Sequence, residues 1–130
     1  MSMNELAKKI HENAQAQGFY DNPVETGTSL MLIVSELSEA LEADRKNRRA
    51  RLNSFQRKQD YRNPNSDIPE NRAFQAYFEL YIKDTFEDEI ADAIIRLLDL
   101  SAYLNIDIDK HIELKMKYNS LRHYKHNKKY

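Results

Sequence analysis

The chain has 130 residues, 41% of them hydrophobic, and its 20 Lys+Arg against 21 Asp+Glu leave a net charge of −1. That length suits one domain with one core, and so even a balance gives no overall field to draw the molecule to nucleic acid or to an anionic membrane. With no cysteine, disulfide scaffolds, zinc–thiolate sites and thiol nucleophiles are excluded.

Only 2 Gly and 3 Pro punctuate the chain, too few for a turn-rich β architecture, so an all-α fold is expected. The opening MSMNELAKKI lacks the apolar run of a signal peptide, and no stretch approaches the ~18 apolar residues of a membrane span. A soluble cytoplasmic protein is the expectation.

In chain order, Leu6, Ile10 and Ala14 predict a helix over about Asn4 to Gln17, with Asn4 as a cap and Gly18 as its end. Gly18 to Pro23 reads as a turn, because Pro23 disfavours helix at Asn22. Thr28 and Ser29 offer caps for a long helix to about Arg45, whose core stripe is Leu30, Ile33, Val34, Leu37 and Leu41. From about 46 to 71 basic residues crowd together and two prolines follow, which predicts a long exposed loop inserted in the single domain.

Helix resumes near Arg72 with an aromatic face of Phe74, Tyr77, Phe78 and Tyr81. Thr85 with Asp88 resembles a capping box and marks a new start. The stripe Phe86, Ile90, Ile94, Leu97, Ser101 and Leu104 follows. Asp107 is the next expected cap, opening a last helix that carries Ile112 and Met116. The tail from His123 is basic and expected to be irregular. Long amphipathic helices can bury their stripes only against one another, so the architecture is a helical bundle. The aromatic face of Phe74, Tyr77, Phe78 and Tyr81 has no evident partner within so few elements, which points to a homodimer or a dimer of dimers.

Four carboxylates carry the chemistry. Glu36 and Glu39 share one side of the second helix, and Glu89 and Asp92 repeat the three-residue spacing further on. Glu36-Leu37-Ser38-Glu39-Ala40-Leu41 matches Glu89-Ile90-Ala91-Asp92-Ala93-Ile94 in pattern. If the two helices pack antiparallel, the four acids converge. Carboxylates held together raise one another's pKa values, and a hard divalent cation such as Mg²⁺ relieves that repulsion while keeping waters and phosphates as further ligands. The competing readings are an ordinary solvated acidic face and a salt-bridge network neutralised by Arg96.

These residues resemble the MazG-like all-α nucleoside triphosphate pyrophosphohydrolases, which carry Glu-Glu-x-x-Glu on one helix and Glu-x-x-Asp on the next. Here the motifs read Ser35-Glu36-Leu37-Ser38-Glu39 and Glu89-Ile90-Ala91-Asp92. The likeness extends to Gly18-Phe19-Tyr20-Asp21, to Ala40-Leu41-Glu42-Ala43-Asp44-Arg45, and to Lys115-Met116-Lys117-Tyr118-Asn119-Ser120-Leu121-Arg122. It covers most of the chain outside about Ala50 to Arg72. The departure is Ser35, where the family often has its first glutamate; the other acids keep the ligand spacing.

The resemblance implies cleavage of a nucleoside triphosphate between its α and β phosphates, giving a monophosphate and pyrophosphate. Glu36, Glu39, Glu89 and Asp92 would be catalytic as ligands of Mg²⁺, with Mn²⁺ as a substitute. Lys115, Asn119, Arg122 and Lys128 would contact the substrate phosphates or sugar, and Tyr20 would stack on a base. Without the likeness, the C-terminal cations read as a helix end complementing its dipole. The four histidines form no metal-ligand arrangement, and the basic segment has too few stacking aromatics for a nucleic-acid surface. Two alternatives stay open: a non-catalytic helical interaction protein, and a pyrophosphohydrolase of a related nucleotide such as phosphoribosyl-ATP.

Overall fold

Six α-helices and no strand make up the regular structure of the described residues, which in this computed structural model are 1–122, 124 and 128–130. They are α1 (Met3–Ala16), α2 (Thr26–Arg45), α3 (Leu52–Asp60), α4 (Glu70–Tyr81), α5 (Phe86–Tyr103) and α6 (Ile108–Ser120). The all-α class is as the composition predicts, and none of these helices is long and apolar enough to cross a membrane. The chain divides into two compact units. One holds Met1–Thr26 with Leu97–Tyr130, and the other Gly27–Arg96.

Three helices end by the same device. At α1, α2 and α5 the residue after the cap adopts a left-handed conformation: Gly18 at φ 86, Asn47 at φ 56 and Asn105 at φ 56. In each, the two following N–H groups return to the last turn, as in Phe19 N–H to the Ala14 carbonyl (3.1 Å), Arg48 N–H to Ala43 (2.9 Å) and Ile106 N–H to Ser101 (2.9 Å). This Schellman geometry satisfies carbonyls that a helix end would otherwise orphan, and it selects Gly or Asn for the left-handed position. Asn105→Ala should therefore lower stability by ~1 kcal/mol, while Asn105→Gly should hold or raise it. Urea unfolding of the two variants checks this.

In the first unit α1 starts one residue earlier than its sequence suggests. Ser2, not Asn4, is the N-cap, and it forms a reciprocal capping box with Glu5. The Asn4 amide is instead committed to α6, donating to Asp107 at 2.8 Å. The Asp109 carboxylate accepts from the Met3 and Asn4 N–H groups at 3.1 and 2.9 Å, placing a negative charge on the free donors at the start of α1. Asp107 caps α6 as expected, accepting from Lys110 N–H. Ala7, Leu98, Leu100 and Ser101 are buried in this unit, while no residue of α6 is buried.

The second unit corrects two expectations. The basic segment around 46 to 71 is not all loop: α3 forms inside it. Phe55 supplies the reason, because its buried ring meets Phe74 of α4 edge-on at 5.5 Å, and Phe74 in turn stacks on Phe78 at 6.1 Å. A single buried aromatic anchor thus orders a helix whose only other apolar residue, Leu52, is exposed. The aromatic face of α4 accordingly has a partner within the chain, and the guanidinium of Arg51 lies over the ring of Tyr81.

The expected core stripes are also only partly buried. Of Leu30, Ile33, Val34, Leu37 and Leu41 only Ile33 is inside, and Leu37 and Leu41 are 49% and 51% exposed. What α2 buries beside Ile33 is small, Ala40 and Ala43, and α5 buries Ala93. The apolar residues of α2 run nearly all round the helix, so one packed side leaves another uncovered. Ile94 and Leu97 on α5, and Leu104 just past its end, likewise remain about half exposed.

Candidate metal centre

The acids are positioned by the antiparallel course of α2 and the first part of α5 within the second unit. Arg48, just past the end of α2, accepts a hydrogen bond from Phe86 N–H at the start of α5 (2.9 Å). Further back on α2, Glu36 accepts from Arg96 Nε, further along α5, at 2.8 Å. Between these two ties lie Glu39, Glu89 and Asp92. Helix α5 begins where the sequence suggests, with the Thr85 hydroxyl accepting from Asp88 N–H at 3.4 Å. The expected reciprocal bond is displaced by one residue: the Asp88 carboxylate accepts from Asp84 N–H (2.9 Å), not from Thr85.

Carboxylate oxygens of Glu36, Glu89 and Asp92 all lie within 4.8 Å of one another. Glu89 is the centre of the group. Only 6% exposed, it lies within hydrogen-bonding reach of both Glu39 and Glu36. Burial, then the Glu39 and Glu36 carboxylates, push its pKa up to about 8. Asp92 is also raised, by desolvation first and then by Asp88 and Glu36, with Arg96 opposing. Glu39 thus joins the cluster through Glu89.

Arg96 engages one carboxylate of the four, and its own side chain is 43% exposed. Arg96 thus compensates Glu36 and opposes the rise at Asp92, while Glu89 has no ion pair among the described residues. The donor set is oxygen only, with Glu89 buried, Glu36 intermediate and Glu39 and Asp92 exposed. That is the chemistry a hard divalent cation such as Mg²⁺ fits, and it offers no soft or nitrogen ligand to favour another class of metal.

Asp84, Asp88 and Glu89 form a second group with the same spacing. The sequence reading passed over Asp84 and Asp88, although Asp88 precedes Asp92 by one helical turn and Glu89 by one residue.

The residues expected to contact substrate belong to the first unit. Lys115 and Arg122 converge on one ring, their cationic heads 5.1 and 5.5 Å from the centroid of Tyr118. Asn119 sits beside them in sequence, and its Oδ1 is buried without a hydrogen-bond partner among the described residues. Lys128 is exposed. Tyr20 is committed elsewhere: its hydroxyl donates to Asp99 at 2.7 Å, and its ring lies 4.6 Å from His11 and 5.0 Å from Tyr103. Burial and the Asp99 carboxylate hold that phenol well above its ordinary pKa. His11 completes the cluster through Nδ1 to Asp99 at 2.8 Å, the structural role expected of it. His123 and His126 lie outside the described residues. Compared with protein-family models, with curated proteins and with solved structures, the chain matches none of them.

Proposed function

We propose that the protein is a Mg²⁺-dependent nucleoside triphosphate pyrophosphohydrolase of the MazG-like type, acting on the cytoplasmic nucleotide pool. The observation that carries the proposal is the convergence of Glu36, Glu89 and Asp92 within 4.8 Å, with buried Glu89 also against Glu39. Glu36, Glu39, Glu89 and Asp92 would hold the metal, which when bound supplies charge neutralisation at the phosphates and acidifies a coordinated water. The chain's own contribution is to keep these carboxylates together on two helices, so that little reorganisation is needed on binding.

On the first unit, Lys115, Asn119, Arg122 and Lys128 are the proposed substrate contacts; Tyr20, held by Asp99, His11 and Tyr103, is not among them. Two cations over one ring, and an amide oxygen without a partner among the described residues, favour an anionic ligand with a hydrogen-bond donor. Arg122→Ala should lower kcat/KM about ten- to hundredfold, the loss of one charge-assisted contact, with the fold intact. Steady-state kinetics beside circular dichroism check this.

The test of the function is product analysis over a panel of nucleoside triphosphates and phosphoribosyl-ATP with Mg²⁺. Pyrophosphate and monophosphate, lost with chelator, support the reading, and the panel separates the two substrate classes. Orthophosphate and a diphosphate, or no product, would refute it. A non-catalytic interaction protein is the second reading. The half-exposed apolar side of α2 and the Arg96–Glu36 pair favour it.

The same side of α2 supports a homodimer or dimer of dimers. Beside the α4 face, where Phe74 packs on Phe55 of α3 yet stays 44% exposed, it is the surface a second copy would bury.

A further inference from the structure

Five cations fall between Arg45 and Arg51, and four of them are engaged. Arg45 and Lys46 pair with Glu42, at 4.0 and 3.2 Å. Arg49 pairs with Glu87 and Asp44 and lies over the ring of Phe86. Arg51 lies over Tyr81. The guanidinium of Arg48 is exposed and has no hydrogen-bond, ion-pair or ring partner among the described residues.

The backbone of Arg48, by contrast, is fixed twice. Its N–H closes the end of α2 on the Ala43 carbonyl, and its carbonyl accepts from Phe86 N–H at the start of α5, both at 2.9 Å. It therefore stands at the shared end of the two helices that carry the acids. Glu89 follows Phe86 by three residues, about 4.5 Å along the helix axis, less than the length of an arginine side chain. A residue whose backbone is anchored at this end of both helices, near the acidic cluster, yet whose free guanidinium pairs with none of its carboxylates, is placed for a second anion.

We infer that Arg48 is a substrate-contact residue that grips the terminal phosphate of a nucleoside triphosphate whose α–β linkage lies at the acid cluster; this rests on the pyrophosphohydrolase reading. A cation held by the carboxylates neutralises charge near the scissile bond. The distal phosphate carries charge beyond it. A planar guanidinium can then take two phosphate oxygens at once. Arg48 would in this way help to distinguish triphosphates from diphosphates.

Steady-state kinetics of the full chain and of Arg48→Gln and Arg48→Lys test it, with the matching nucleoside diphosphate as a competitive inhibitor. The expected result is a KM for the triphosphate raised about ten- to hundredfold in Arg48→Gln, partly restored in Arg48→Lys. The diphosphate Ki and the melting temperature stay unchanged. An active wild type whose KM is unmoved by Arg48→Gln would overturn the inference alone. So would equal losses for triphosphate and diphosphate. A lowered melting temperature with unchanged KM would reassign Arg48 to the dipole at the end of α2. A wild type that releases no pyrophosphate would instead overturn the reading beneath it.

Discussion

Glu89→Gln should abolish Mg²⁺-dependent pyrophosphate release, by orders of magnitude, while making the metal-free protein more stable at pH 8. The amide keeps the size and hydrogen-bonding capacity of the protonated acid and loses the charge that a cation needs. The sign of the stability change follows from linkage. Glu89 has a pKa of about 8 when folded, above its ordinary 4.5, so between these values the folded state binds the extra proton. Stability is then full below about pH 4.5 and falls as pH rises towards 8, because an ionised carboxylate must be held beside Glu39 and Glu36. The wild-type melting temperature without metal should fall across this window, and Glu89→Gln should flatten that part of the curve. Added Mg²⁺ should raise the wild-type curve at high pH and leave the variant where it is. If the acids formed a structural network with Arg96, the same substitution would lower the metal-free melting temperature and Mg²⁺ would move neither protein. Melts from pH 5 to 9, run with and without Mg²⁺, separate these outcomes.

Val34→Asp with Leu41→Asp should convert the protein from an oligomer to a monomer. Both residues are 51% exposed on α2, in line with Leu30 and Leu37, and four apolar side chains at helical spacing form a continuous surface that water does not favour. A charge placed in such a contact must be desolvated without a partner, which opposes association strongly. On a surface that faces only water, by contrast, the two substitutions should change stability by no more than about 0.5 kcal/mol each. Light scattering at micromolar concentration reads the result: an oligomeric wild type and a monomeric double variant support the shared face. A wild type that is already monomeric removes it.

The fold class and the positions of most helices are legible in the chain because they depend on local signals. Gly18 and Asn105 end helices, and Asp107 starts one, through hydrogen bonds to residues a few positions away. The acid pairs are legible for the same reason, since a spacing of three fixes a common side of a helix. The pieces that escape depend on contacts distant in sequence. Phe55 looks like one aromatic in a basic loop until Phe74 packs against it. Tyr20 looks free to stack on a base until Asp99, far along the chain, takes its hydroxyl. The burial of α2 is misread because its apolar residues surround the helix, so periodicity cannot choose between Leu37 and Ala40 as the inward position. Asp84, outside α5, joins Asp88 and Glu89 by way of its own left-handed backbone, φ 61, which no helical spacing announces.

Titration of Mg²⁺ into the metal-free protein at pH 7, by calorimetry in buffers of different ionisation enthalpy, tests the metal centre most directly. Glu89 is then still mostly protonated, and a cation that takes its carboxylate must expel that proton. The expected result is saturable binding with release of about one proton per site, and neither binding nor release in Glu89→Gln. An absence of binding in the wild type, or binding that Glu89→Gln leaves unchanged, would contradict the assignment of Glu36, Glu39, Glu89 and Asp92 as a metal centre.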